Sequence, residues 1–157
     1  MTIVISVAAL VLSLSGFLHG RWRDRRDLLL RMHEYLLAAD QQRGRRLLYW
    51  MKENQIPVKD LSDDEYVLIN NALSSLNLLA IYYQRGYVRR KDVLELWALP
   101  VARALLAGAA FLAHRDAEQG GTLIWPQLRE FGKDSEKYAQ RTGMTISPVV
   151  GLLPKQL

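Results

Sequence analysis

Residues 2–26 read TIVISVAALVLSLSGFLHGRWRDRR. The run from Thr2 to Leu18 carries no charged side chain, and four arginines follow between positions 21 and 26. A membrane-spanning helix needs about 20 mainly apolar residues, with about 17 as the lower limit. Its cytoplasmic flank is enriched in lysine and arginine. The pattern therefore predicts a transmembrane anchor over 1–20 in the inner (plasma) membrane, with the N-terminus outside and the C-terminal domain cytoplasmic.

Two other interpretations of the same segment are a cleaved signal peptide and a buried helix of a soluble domain. A signal peptide carries positive charge before its apolar run and a small-residue cleavage site after it. Here the charges lie on the other side, which argues against cleavage. Within the run, Ser6, Ala9 and Ser13 could form a small-residue packing face, so self-association through the anchor is a further hypothesis.

The net charge of +5 is placed unevenly. Residues 1–59 hold ten basic and five acidic side chains, whereas residues 60–157 hold eleven of each. The whole excess therefore lies beside the predicted anchor, where anionic lipid head groups would be found. A nucleic-acid-binding protein would carry its basic patch on the folded domain, so the distribution favours a lipid bilayer as partner and argues against nucleic acid.

The chain after the anchor predicts an all-α fold, a cytoplasmic bundle of about four to five helices over 21–143. Hydrophobic spacing predicts a helix over 24–39 and another over 45–54. Ser62-Asp63-Asp64-Glu65 fits a capping box that starts a helix, and Gly86 is the expected terminator. Further helices are predicted over 90–114 and from Pro126 to Gly143. Residues 144–157 lack periodicity and are expected to form an extended or mobile tail.

The segment from Trp97 to Ala113 is apolar apart from Arg103. It could be a buried helix of the bundle or a second membrane span. Pro100 and the central Arg103 favour the buried helix, because an arginine at the centre of a span costs roughly 2.5–3.5 kcal/mol on insertion scales. Both interpretations stay open at the level of sequence.

Recognisable catalytic or cofactor motifs are absent from the sequence. The chain has no cysteine, which excludes disulfides, thiolate catalysis and cysteine-based metal sites. His19, His33 and His114 share no metal-ligand spacing. No phosphate-binding glycine loop or dinucleotide fingerprint is present. We therefore expect no cofactor, no metal and no enzymatic activity.

Three groups of residues are candidates for binding. The collar after the anchor is expected to contact the membrane surface. A second basic cluster near the start of the helix over 90–114 could bind an anion or a partner, although Asp92 and Glu95 could neutralise it. Three polar residues spaced on one helix face could form a partner surface or simply face solvent. In order, the groups are Arg21, Trp22, Arg23, Arg25 and Arg26; Arg85, Arg89, Arg90 and Lys91; and Asn70, Ser74 and Asn77.

The middle of the chain carries three short motifs, Asn77-Leu78-Leu79-Ala80, Tyr82-Tyr83-Gln84-Arg85-Gly86 and Val93-Leu94-Glu95-Leu96-Trp97. With them, the stretch from Leu61 to Ala113 resembles a poorly characterised bacterial family of small membrane-anchored helical proteins with a domain of unknown function. The resemblance implies one N-terminal span and a cytoplasmic helical domain, and it transfers no catalytic residue. The basic Arg89-Arg90-Lys91 departs from the acidic or polar helix cap that the resemblance implies.

The sequence thus predicts a single-pass membrane protein that acts as a non-enzymatic interaction or regulatory module on the cytoplasmic face. Its partners would be the bilayer and another protein, or a second copy of the chain. The alternative is a small-molecule sensor or enzyme with a pocket inside the bundle, for which Arg103 or His114 would supply the polar group.

Overall fold

The computed structural model describes Gly20 and residues 23–146, and every regular element within them is helical. The predicted all-α class is therefore confirmed. Residues 1–19 of the predicted anchor, Arg21, Trp22 and residues 147–157 of the predicted tail lie outside the described residues. The elements are α1 (23–37), α2 (Ala39–Glu53), a 3-10 turn (Val58–Asp60), α3 (Asp63–Gln84), α4 (Arg90–Ala107), α5 (Ala109–Glu118) and α6 (Pro126–Arg141).

Helix α3 begins and ends where its local sequence predicts. The Glu65 N–H donates to Ser62 Oγ at 3.3 Å, and the Ser62 N–H donates to Glu65 Oε2 at 2.9 Å. This reciprocal pair satisfies two backbone donors that a helix start otherwise leaves free. At the other end Gly86 has φ +69°, a conformation that glycine adopts without steric strain.

Helix α3 is also the centre of the core. Its inward side chains are buried and pack against α2, α4 and α6. Together with residues of the neighbouring helices they form one hydrophobic cluster. Its fully buried large members include Leu36, Leu47, Leu48, Met51, Ile69, Leu73, Leu76, Leu79, Phe111, Leu128 and Phe131.

The first break in the chain of helices falls at Ala38, inside the helix predicted over 24–39 and not in the gap predicted before residue 45. Ala38 has φ −56° and ψ 147°, an extended conformation that separates α1 from α2. Gly44 lies inside α2 instead, where the absence of a side chain lets the helix lie against the backbone of Leu68 and against Ala72 in α3. The glycine is thus used for close packing of two helices and not for a turn.

The prediction of a single helix over 90–114 is wrong, because the structure has two helices there. The chain bends by 64° at Gly108, which ends α4 and begins α5. An added Cβ at Gly108 would lie 3.3 Å and 3.4 Å from the two methyl carbons of Leu48, so the bend lies directly against α2. With the break at Ala38, this bend brings the described helices to six, against the four to five expected.

No single helix among the described residues is long and apolar enough to cross a membrane. The bent pair of α4 and α5 meets the length and composition criteria only when the two helices are taken together. In α4, Trp97, Ala98, Val101, Ala102 and Ala104 are buried in the bundle, as expected for a core helix.

Helix α6 begins at Pro126 and ends before Gly143, as predicted. It packs across α3 and α4, with Leu128, Phe131 and Ala139 buried. Gly132 faces the Leu105 side chain of α4. Tyr138, expected on the same apolar stripe, is only partly buried.

Candidate functional site: the basic end of the bundle

Two basic segments that are 60 residues apart in sequence meet at one end of the bundle. Asp24, Arg25 and Leu28 of α1 line a shallow open cavity of about 390 Å³ together with Arg85, Gly86 and Tyr87 from the loop between α3 and α4. The tertiary fold therefore places Arg25, from the predicted membrane-surface group, in the same cavity wall as Arg85, from the predicted anion-binding group. We call this surface, with Arg23 and Arg26 of α1 and Arg89, Arg90 and Lys91 at the start of α4, the basic end.

The loop that carries Arg85 is held in place by its neighbours. The Tyr87 N–H donates to the Tyr82 carbonyl at 3.0 Å, and the rings of Tyr82 and Tyr87 meet edge-on with centroids 5.8 Å apart. The positive φ of Gly86 allows this tight reversal. Tyr87 remains 46% exposed, so an aromatic ring with a polar tip lies beside Arg85 at the surface.

The cations at the start of α4 have partners within the protein. Arg89 lies 3.8 Å from Asp92, and Lys91 lies 3.7 Å from Glu95. Such exposed pairs contribute about 0–1 kcal/mol and leave the side chains able to exchange partners. Arg90 is placed differently, with its Cζ 5.3 Å from the centroid of the Tyr83 ring.

The collar residues differ in exposure. Arg23 and Arg26 are exposed, whereas Arg25 is half-buried in the cavity wall. Asp24 lines the same cavity and reduces its positive charge. Arg21 and Trp22, predicted to contact the membrane surface, lie outside the described residues.

The three polar candidates of α3 do not share one role. Ser74 is exposed. Asn77 reaches across to α6, where its Oδ1 accepts a hydrogen bond from the Leu128 N–H at 3.2 Å. The start of α6 has no side-chain cap of its own, because Trp125 adopts a left-handed conformation with φ 50° and makes no capping bond. Asn77 therefore performs the capping function from another helix.

Asn70 is partly buried, and its Oδ1 has no hydrogen-bond partner among the described residues. It lies on α3 seven residues before Asn77, but the two side chains face different surroundings. The predicted partner face is thus divided between a helix cap, an exposed serine and a buried amide oxygen.

Sequence inspection missed a tyrosine–carboxylate pair beneath Arg90. The Tyr83 hydroxyl donates to Asp134 Oδ2 at 3.0 Å, and its ring packs on Phe131 with centroids 4.6 Å apart. Burial first, and then the hydrogen bond to Asp134, raise the pKa of Tyr83 to about 12. A phenol with so high a pKa stays protonated at neutral pH and stabilises the contact between α3 and α6. No local motif links residues 51 positions apart.

A second missed network joins the beginning of α3 to α5. The Tyr66 hydroxyl donates to Glu118 Oε2 at 2.8 Å, and Arg115 Nη1 lies 3.1 Å from the same oxygen. His114 Nε2 lies 3.4 Å from the other oxygen. The hydrogen bond from Tyr66, with Arg115 and His114 adding to it, lowers the pKa of Glu118. These contacts hold the beginning of α3 against α5, which is a structural role.

A third polar group closes the loop between α5 and α6. Arg129 Nη2 lies 2.6 Å from Asp116 Oδ2, and the Ile124 N–H donates to Asp116 Oδ1 at 2.9 Å. The pair lines a shallow cavity of about 240 Å³. Both carboxylate oxygens of Asp116 are therefore engaged in holding this loop. Across Gly20 and residues 23–146, no three His, Asp or Glu side chains are grouped so as to hold a metal ion.

The chemistry available at the basic end is that of binding. Arginine and lysine donors can hold an oxyanion by charge and by hydrogen bonds, and the exposed Tyr87 ring can lie at a lipid interface. No family model, no curated protein and no solved structure matches this chain, so the resemblance to membrane-anchored helical proteins stays a prediction.

Proposed function

We propose that this protein is a membrane-anchored, non-enzymatic interaction or regulatory module whose helical bundle lies against anionic lipid on the cytoplasmic side of the inner membrane. The predicted anchor over 1–20 would supply the attachment. The basic end would supply the contact with phosphate-bearing head groups. The resemblance stated from sequence belongs to the same proposal.

The meeting of Arg25 and Arg85 in one cavity wall carries this proposal. The predicted anchor joins the bundle through the residues just before Arg25, so the cavity is next to the point of attachment. Cations of the loop between α3 and α4 then lie near the same surface as the collar. Each lysine or arginine near an anionic membrane surface contributes about 1 kcal/mol, and several acting together would orient the whole bundle.

A role in protein interaction is supported by apolar side chains that α1 leaves uncovered. Leu30 is 50% exposed and Leu37 is 44% exposed. They are seven residues apart and so lie on one side of the helix. A protein partner, or a second copy of the chain, could pack against this side of α1.

Large aliphatic and aromatic side chains fill the core around α3, which supports a non-enzymatic role for that part of the bundle. The alternative, a sensor or enzyme, was expected to use Arg103 or His114. Arg103 Nη2 donates to the Thr145 carbonyl at 3.4 Å, and His114 lies beside Glu118. Each makes a local contact, although Arg103 Nε is buried without a partner among the described residues. The local contacts favour the interaction module over that version of the alternative.

Attachment is tested by fractionation of cells that express the full chain. Membranes are washed with alkaline carbonate, which strips peripheral proteins and leaves spanning ones. We expect the protein to stay in the membrane pellet. Release of most of the protein into the soluble fraction would refute the anchor.

Orientation of the bundle is tested by hydrogen–deuterium exchange on the full chain in nanodiscs. We expect residues 23–28 and 84–91 to exchange more slowly in nanodiscs containing phosphatidylglycerol than in neutral ones, and high salt to remove the difference. Peptides around Lys133 and Lys137, exposed cations of α6, provide the control. Equal protection in both lipids would contradict the lipid-facing role even if the anchor is correct.

A further inference from the structure

Polar side chains of two helices, α1 and α2, lie around Trp97 of α4. His33 of α1 approaches its ring edge-on, with ring centroids 5.6 Å apart. Arg45 of α2 lies on the same ring, with its Cζ 5.6 Å from the centroid. Gln41 precedes Arg45 by one helical turn and so lies on the same side of α2. We call these four residues the Trp97 cluster.

Three members of the Trp97 cluster are shielded from solvent, and His33 is partly buried. Gln41 and Arg45 are each 8% exposed, and Trp97 is 3% exposed. Burial is the main cause of a lowered pKa of Arg45, but a guanidinium stays protonated at neutral pH. A full positive charge therefore lies inside the bundle.

Among the described residues, this buried charge has no acidic partner. All sixteen Asp and Glu side chains of the sequence fall between Asp24 and Glu136, within the described residues. The ion pairs that they form involve other cations and not Arg45. Contact with the Trp97 ring offsets part of the desolvation, but a buried cation is ordinarily balanced by a carboxylate or another anion.

The hydrogen-bond donors of the cluster are also unsatisfied. Arg45 Nη1 and Trp97 Nε1 are buried and have no acceptor among the described residues. Gln41 Oε1 and His33 Nδ1 are also buried without a hydrogen-bond partner there. Both the guanidinium and the indole N–H can only donate. Native interiors rarely leave such donors unpaired, and because one of the two donors is charged, an acceptor that bears negative charge would satisfy both the hydrogen bonds and the charge.

We propose that Arg45 and Trp97 form a binding site for a small oxyanion, a carboxylate or a phosphate, whose oxygens accept hydrogen bonds from Arg45 Nη1 and Trp97 Nε1. His33 can add a third donor in its Nδ1–H tautomer, and Gln41 Oε1 can accept from a hydroxyl group of the same ligand. A planar guanidinium is well suited to either anion.

The position of the site gives binding a structural consequence. His33 lies before the break at Ala38, whereas Gln41 and Arg45 lie after it. An anion held between them ties α1 to the bundle and makes the joint between the two helices more rigid. This inference goes beyond the proposed membrane role and does not depend on it.

The test uses the full chain in detergent micelles, with the indole N–H groups of its four tryptophans observed by nitrogen-15 NMR. Acetate and inorganic phosphate are titrated in separate arms at constant ionic strength set with chloride. The Trp97 resonance is assigned by its loss in Trp97→Phe. We expect it to move saturably with at least one anion, while those of Trp50 and Trp125 stay in place.

Two variants sharpen the test. Arg45→Met keeps most of the side-chain volume and removes the charge, so we expect about tenfold or greater loss of affinity, the effect of one hydrogen bond to a charged group. If Arg45→Met does not fold, Trp97→Phe serves as the test variant. The anion should raise the melting temperature of the wild-type protein, and it should raise that of Trp97→Phe by less. Acetate alone identifies a carboxylate site, and phosphate alone identifies a phosphate site.

The proposal is overturned if neither anion moves the Trp97 resonance saturably, because ordered water then satisfies the donors. It is equally overturned if all tryptophans respond alike, or if Arg45→Met binds as tightly as the wild-type protein.

Discussion

Replacing Gly44 with alanine tests the closest approach of two helices in this fold. A Cβ at this position would lie 2.8 Å from the Cβ of Ala72 and 2.9 Å from the carbonyl carbon of Leu68, and closer still to the Leu68 oxygen. These neighbours belong to α3, and two of the three are backbone atoms. Helix α2 would have to move away from α3 to accommodate the methyl group.

The magnitude follows from two opposing terms. Alanine is favoured over glycine inside a helix by about 0.8–1.0 kcal/mol. Overpacking a core costs about 1–3 kcal/mol, and a clash with backbone lies at the upper end because backbone cannot rotate away. The Gly44→Ala protein should therefore lose about 2 kcal/mol of unfolding free energy, or about 4–8 °C in melting temperature for a chain of this size.

Gly132→Ala is the matched control. Gly132 is also buried inside a helix, but the atom that an added Cβ would meet is Cδ1 of Leu105, the end of a side chain that can rotate. The overpacking term should fall to about 1 kcal/mol, which the helix-propensity gain offsets. Melting of the full chain in a single detergent, followed by far-ultraviolet circular dichroism, measures both variants. A Gly44→Ala protein that melts at or above the wild-type temperature would refute the close approach of α2 and α3.

Three further predictions concern single contacts. Asn77→Ala removes the acceptor for the Leu128 N–H, so the unfolding free energy should fall by about 1 kcal/mol, with faster amide exchange in the first turn of α6. Tyr83→Phe should cost about 1 kcal/mol at neutral pH, because it removes the hydrogen bond to Asp134. The pKa of Tyr83 is about 12 in the folded protein, against about 10 for a free tyrosine. The protonated hydroxyl therefore stabilises the fold fully below pH 10, and this stabilisation is lost as pH rises towards 12. Denaturant titrations should show the difference in unfolding free energy between Tyr83→Phe and the wild type shrinking over that range. Ser62→Ala breaks the capping box and should cost about 1 kcal/mol, measured by chemical denaturation.

Each of these predictions has a control on the same surface. Asn71→Ala changes an exposed asparagine of α3, and Ser74→Ala changes an exposed serine inside the same helix, so both should leave stability within about 0.5 kcal/mol of the wild type. Tyr87→Phe alters an exposed tyrosine and should leave stability at neutral pH within about 0.5 kcal/mol of the wild type. Equal losses in a variant and its control would contradict the contact that the variant was chosen to remove.

The ends of helices were predictable wherever a local signal fixes them. The capping box at Ser62, the reversal at Gly86 and the proline that opens α6 all lie where the sequence indicates, because these signals act over three or four residues of backbone. The breaks at Ala38 and Gly108 were not predictable in the same way. Ala38 has no strong breaker before it, and Gly108 lies at a close approach to Leu48 of a different helix, which local sequence does not reveal.

The same distinction between local signals and tertiary contacts applies to the candidate sites. Composition and charge order along the chain predicted a basic collar and a second basic cluster as separate features. Their meeting at Arg25 and Arg85 is a tertiary contact between helices 60 residues apart, and no periodicity encodes it. The spacing of Asn70, Ser74 and Asn77 predicted a shared face, but the approach of α6 engaged Asn77 alone.

By itself, the sequence determined that the chain is helical, where α3 and α6 begin and end, and that the excess positive charge lies in its first third, since these follow from backbone geometry and residue order. Tertiary structure alone decided which distant side chains became neighbours. The basic end at Arg25 and Arg85, the cap that Asn77 gives to α6 and the buried Arg45 against Trp97 all depend on how α1, α2, α4 and α6 pack around α3. Packing is set by shape and burial summed over the whole core, so a window of neighbouring residues does not contain it.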